Sequence, residues 1–323
     1  MQKPRAETAF CLILPFRQEN MANTLWDSFD TLLLKAEQDF LCFNIQGAVD
    51  HWQKYYEITA RTEYQKIIAE IKQNWREDLF RNIPYLTDLY KIYCDLRSAL
   101  FNQKISRFTF DLYKKLLLKI YNERFRQNTI SETTLESGVF AYLNGDNETA
   151  IKILGEVLKK DVASHQARVF LGAAYLALHH QREAIAALSQ NLFLAADQLY
   201  EDDLYLSQFK MLFGKLHMNT AHKKEAAWLL TFESWFRHYL VFEADKPFFR
   251  LMQKKEANER ILQVKYYKYE RYRHFCRCLF LADYSRIHSP QNKRFIIEQE
   301  NYMARLDEVL FNRYRRKRKE IKP

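Results

Sequence analysis

The chain has 323 residues, of which 48% are hydrophobic, 15% aromatic and 28% charged, with a formal net charge of +10. That apolar share is enough to bury a core, which excludes global disorder. Six glycines and six prolines are too few for a turn-rich sheet fold or a phosphate-cradling loop, so an all-α class is expected before any motif is read.

At the N-terminus, Lys3 and Arg5 precede an apolar stretch at 9–16, but Pro15 ends it and no small-residue cleavage site follows. We read residues 1–22 as a disordered segment rather than an export signal. No apolar run approaches the roughly 20 residues of a membrane span. The five cysteines (Cys11, Cys42, Cys94, Cys276 and Cys278) are odd in number and scattered. That pattern suits free thiols in a reducing compartment, so a cytoplasmic location is expected. Helical period then predicts helices over 23–43, 46–58, 62–75, 84–100 and 107–125, with Pro84 suited to a helix start. A polar joint at 128–132 sets a boundary near residue 130. Residues 23–130 are thus an N-terminal helical region, with Ala36, Gly47, Ala48 and Trp52 hinting at a degenerate repeat.

The next stretch repeats. Gly138 is followed by Ala150, Gly172 by Ala184 and Gly214 by Ala226, each pair twelve apart. The first two pairs are offset by 34 residues and the third by 42. Small residues at such places let two helices of a hairpin approach closely, and Gly145-Asp146 marks a turn between apolar-periodic stretches. Leu154, Leu158, Leu188 and Leu230 fall on the apolar stripes of the second helices.

This pattern resembles the tetratricopeptide repeat family, most clearly in the second unit through Leu171, Gly172, Tyr175 and Ala184. The first unit has Ala141 and the third His217 at the tyrosine place, and none carries the closing proline. The resemblance covers about 131–240. It implies an all-α, right-handed solenoid of antiparallel helical hairpins over 131–245, with flanking helical regions. It also implies a partner-binding groove lined by first helices, at Leu135, Val139, Tyr142 and Leu143, then Val169, Ala173, Leu176 and Ala177, then Met211, Lys215 and Met218. Members that clamp a peptide carboxylate use Lys, Asn and Arg at several such positions. Here only Lys215 suits, so that clamp is not expected. An apolar groove must be covered, by a partner helix or extended peptide or by this chain's own C-terminal helix.

Beyond the array, two long helices are predicted over 246–287 and 292–318, broken by Ser289-Pro290. The stretch 248–323 holds 20 Lys and Arg against 9 Asp and Glu, whereas the rest of the chain is nearly neutral. The basic character of region 246–323 peaks at Arg313, Arg315, Arg316, Lys317, Arg318 and Lys319. These are candidate contacts for nucleic acid or another acidic surface, against the alternative of a solvated helix end.

Chemistry-bearing motifs are absent: there is no G-x-x-x-x-G-K-[ST], G-x-G-x-x-G, G-x-S-x-G or H-E-x-x-H. His274 and Cys278 would share a helix face while Cys276 points elsewhere, which falls short of a tetrahedral metal site. The run Lys265-Tyr266-Tyr267-Lys268-Tyr269-Glu270-Arg271-Tyr272-Arg273 interleaves bases with rings, which suits base stacking or, more simply, a core stripe with a solvated face. No catalytic, cofactor or metal residue is expected. The function expected is a non-catalytic scaffold or adaptor that binds a protein partner through an apolar groove. The alternative is a nucleic-acid-binding or regulatory protein acting through its basic C-terminal helices.

Overall fold

The computed structural model describes residues 25–129, 132–261 and 267–320. The expected N-terminal segment 1–22, with Cys11, lies outside these residues, as do Lys265 and Tyr266 of the aromatic-basic run. Among the described residues every regular element is helical and no strand occurs. No helix among them is long and apolar enough to cross a membrane. The chain forms two compact units, divided between Glu77 and Asp78.

The first unit holds helices α1 (Leu25–Leu41), α2 (Ile45–Thr59) and α3 (Thr62–Asn74). Ala36 and Ala48, the candidate repeat alanines, are fully buried in the α1–α2 hairpin beside Trp52. Phe43 closes the turn at φ 64°, and the Asn44 side chain accepts from the Gly47 amide at 3.2 Å to cap α2. A Cβ on Gly47 would come 2.4 Å from Asn44 Nδ2, so this glycine makes room for the cap rather than for a neighbouring helix.

A short helix, α4 (Glu77–Arg81), crosses the division, and α5 (Leu86–Phe101) and α6 (Arg107–Arg124) form a hairpin in the second unit. After the short α7 (Arg126–Thr129) come three hairpins: α8 (Leu135–Leu143) with α9 (Asn147–Lys160), α10 (His165–Ala177) with α11 (Gln181–Ala195), and α12 (Ser207–Met218) with α13 (Lys223–Phe236). Their starts are coded locally. Thr134, Asp146 and Ser164 each accept an amide three residues on, caps worth about 1 kcal/mol apiece. Gly145 turns the first hairpin at φ 86°, a left-handed conformation that suits glycine. Ala150, Ala184 and Ala226 are all fully buried.

The glycines of the repeat do not share one role. A Cβ on Gly138 would come 2.6 Å from Leu154 of the paired helix, as close hairpin packing requires. At Gly172 it would come 1.8 Å from the Tyr205 hydroxyl and 3.2 Å from Ala187 Cβ. At Gly214 nothing lies within 4 Å, and the residue is exposed. The close-approach expectation therefore fails for the third unit.

The C-terminal region departs from the two long helices expected. The first is two helices, α14 (Lys246–Ile261) and α15 (Lys268–His288), which fold back so that Phe248 meets Phe280 at 5.3 Å and Glu256 meets His274 at 2.8 Å. Glu270 starts α15 by accepting the Tyr267 amide at 2.9 Å. The second is also two, α16 (Lys293–Leu306) and α17 (Glu308–Glu320). Asp307 leaves helical geometry at φ −157° and caps α17 by accepting the Leu310 amide at 2.9 Å. Helix α15 is the buried spine of this end, packed on α11, α13, α14 and α16. The C-terminal helices thus pack around α13 and α15 rather than along the first helices of the array.

Candidate functional site

What covers the first helices of the array is α5. Tyr93 packs on Phe140 of α8 and Phe170 of α10 at 6.4 and 6.3 Å between ring centroids, and the Tyr90 hydroxyl donates to Gln166 at 2.9 Å. Val139 is fully buried and Val169 is 6% exposed, so neither is a free groove residue over its full side chain. The expected self-occupant, the C-terminal helix, is replaced by a helix that precedes the array.

The cover is incomplete and leaves a cleft of about 640 Å³, within the range of ligand-binding pockets. One wall is α5 and α6, with Tyr93, Arg97, Phe101, Arg107, Phe110 and Lys114. The array supplies Tyr142, Leu143, Val169, Phe170 and Ala173, and α12 and α13 supply Phe213, His217 and Lys223. The remaining wall is the segment between the second and third hairpins, with Tyr200, Glu201, Asp202, Asp203 and Tyr205. That segment holds two short 3-10 turns, Ala196–Gln198 and Glu201–Asp203. It is where the repeat spacing stretches from 34 to 42 residues.

The cleft is held by a buried ion pair. Arg97 donates to Asp203 in a short contact, and the other Asp203 carboxylate oxygen accepts the Tyr200 amide at 2.9 Å. The guanidinium lies over the rings of Tyr200, Phe170 and Tyr93 at 4.7, 5.5 and 5.9 Å. Burial is the largest single influence and lowers the Arg97 pKa, but the charge and hydrogen bond of Asp203 together with Tyr93 and Tyr200 outweigh it, so the pKa rises. Arg107 pairs with Asp202 at 2.6 Å. Tyr205 donates to the Ala184 carbonyl at 2.9 Å, in the space that Gly172 leaves open. Lys223 differs. Its Nζ sits 3.3 Å from the centroid of the Phe101 ring and 6.0 Å from that of Phe213, with no carboxylate partner among the described residues. Burial lowers its pKa, only partly countered by Glu201 and Asp203.

Of the eleven groove residues expected from sequence, Tyr142, Leu143, Val169 and Ala173 line this cleft. Leu135 and Leu176 are half-buried outside it, Val139 is sealed under α5, and Lys215 is exposed on α12 and does not line it. Sequence reasoning missed Arg97, Asp203, Tyr200, Tyr205 and Lys223. The one signal pointing to three of them was the lengthened interval between the second and third units.

The six basic residues of α17 are sorted by their neighbours. Arg313 binds Glu233 at 2.6 Å over Phe232 and Phe236, Lys317 binds Glu320 at 3.1 Å beside Phe236, and Arg318 lies 3.9 Å from the buried Asp283. These three fasten the helix to its own protein. Arg315, Arg316 and Lys319 are exposed and form no ion pair among the described residues. The His274 and Cys278 pair shares Glu256, at 2.8 and 3.5 Å, whereas Cys276 donates to the Trp228 carbonyl. Among the described residues no group of three or more His, Cys, Asp or Glu side chains is arranged to hold a metal ion. In the aromatic-basic run, Tyr272 is buried and Lys268 faces Glu225 at 3.7 Å, which favours the core-stripe account. No protein-family model, curated protein or solved structure matches this chain.

Proposed function

We propose that this chain is a non-catalytic scaffold or adaptor of tetratricopeptide type, whose successive hairpins form a right-handed solenoid. It takes a segment of a partner protein into the cleft beside α5. The observation that carries this is the cleft itself. Three separate stretches of chain converge on an aromatic-walled, solvent-open cavity, and its polar walls are pre-positioned by the Arg97–Asp203 pair. Aromatic rings in a preformed concavity are common anchors of protein recognition. Filling the cleft tests it. Ala173→Trp is expected to abolish capture of the partner in a pull-down while the far-ultraviolet circular dichroism stays helical. Undiminished capture would remove the cleft from the account.

A second function is favoured by one observation, the outward Arg315, Arg316 and Lys319 on α17. Nucleic-acid binding through them would fall steeply with salt and would be lost in the triple glutamine variant. Arg313, Lys317 and Arg318 would have little part in it, because their charges are already engaged within the protein.

A further inference from the structure

We infer that the partner segment entering the cleft is acidic and aromatic: a ring that stacks in the cavity, flanked by carboxylates that meet Lys223 and Lys114. The inference rests on the cleft being the docking site, and it adds what the cleft selects.

The carboxylates of the cleft divide into spent and exposed groups. Both oxygens of Asp203 are engaged, by Arg97 and by the Tyr200 amide, and Asp202 is engaged by Arg107. Asp111 and Glu201 also line the cavity, but both are exposed to solvent, where water screens them. The lysines stand differently. Lys114 and Lys223 line the cavity half-buried, and neither forms an ion pair among the described residues. A half-buried ammonium has lost part of its hydration without gaining a counter-ion, and an incoming carboxylate restores that loss. The cavity thus has unspent positive charge inside, while its inner negative charge is neutralised.

The rings set the second requirement. Phe101, Phe110, Tyr142, Phe170 and Phe213 line the cavity, and edge or offset contacts with a bound ring add to the burial of its surface. The Lys223 ammonium, already over Phe101, can stay there while donating to a carboxylate on the open side. A basic segment would meet Lys223 and Lys114 unfavourably, and an aliphatic acidic one would leave the aromatic walls without a stacking partner.

The test uses the full chain and labelled short peptides followed by fluorescence anisotropy. The reference peptide has a central tryptophan flanked by aspartates. Its partners replace the aspartates with asparagine, the aspartates with lysine, or the tryptophan with alanine. The reference is expected to bind at least about tenfold more tightly than any of the three. Lys223→Met, which keeps the stem over Phe101 and removes the charge, should erase most of the preference for aspartate over asparagine. Circular dichroism and Tm report whether that variant folds. Equal binding of the aspartate and asparagine peptides overturns the inference, as does stronger binding of the lysine peptide or no binding of any. A preference that survives in Lys223→Met also overturns it. Binding that persists in Ala173→Trp would instead sink the cleft as docking site. Loss of natural partner capture in Ala173→Trp, with no charge preference among the peptides, would spare the site and refute only the acidic partner.

Discussion

The first two hairpins of the array and the third carry the same glycine–alanine spacing and end in different surroundings. Over α8 and α10 the outer face is roofed by α5, and Gly138 and Gly172 are hemmed by Leu154 and Tyr205. On α12 the corresponding face is open: Met211 and Met218 are 65% and 81% exposed, and Gly214 faces empty space. The difference teaches that a repeat spacing marks where a hairpin forms, not the environment each copy ends up in. The cleft lies at the change from covered to open, where the inserted segment with Tyr200, Asp203 and Tyr205 bridges the two.

The comparison can be broken most severely at the ion pair that joins the roof to the inserted segment. Arg97 and Asp203 have side chains 13% and 7% exposed, and removing one partner of a buried pair costs about 3–5 kcal/mol. Arg97→Met should lower stability by that order in chemical denaturation and abolish peptide binding. A loss under about 1 kcal/mol would mean that α5 is not held by this contact.

The next effect separates the glycines. Gly138→Ala and Gly172→Ala should each cost about 1–3 kcal/mol through overpacking, the second also displacing the Tyr205 hydroxyl from the Ala184 carbonyl. Gly214→Ala should do the reverse and stabilise by about 0.5–1 kcal/mol, because an exposed helical glycine costs backbone entropy. Equal effects at all three positions in thermal or urea unfolding would erase the distinction.

The smallest effect is a pH dependence at Lys223. Its pKa is lowered in the free fold by burial, so the folded state releases this proton more readily than the unfolded chain. Burial of the ammonium therefore opposes folding at neutral pH. That penalty is relieved as pH rises through the folded pKa toward the ordinary lysine value. Binding of an acidic segment has the opposite sign, being strongest with the amine charged and fading over the same alkaline range. A titration of peptide affinity in wild type and Lys223→Met should show the decline in the first only.

Much of the local structure was legible in the residues. Caps at Thr134, Asp146 and Ser164, the glycine turn at Gly145 and the buried alanines announce hairpins, because they satisfy helix-end amides and close packing within a few residues. The break at Asp307 is written in the same code, an acid at a helix start, but the apolar period runs across it and masks it. The cleft was legible only in part: Tyr142, Leu143, Val169 and Ala173 followed from the repeat, whereas Arg97 and Lys223 lie far from it in sequence or at its edge.

By itself, then, the sequence determined an all-helical chain, where hairpins begin and turn, and which alanines go inside, since these follow from hydrogen bonds and spacing over one or two turns. Tertiary structure alone decided which helix roofs the array and which glycine is crowded. It also decided which of the basic residues of α17 face outward, and that a lysine at the start of α13 shares a cavity with a ring from α5. Those outcomes depend on contacts between residues about a hundred positions apart, such as Arg97 with Asp203. Neither residue carries a local signal of its partner, and the pairing exists only once packing has buried them both.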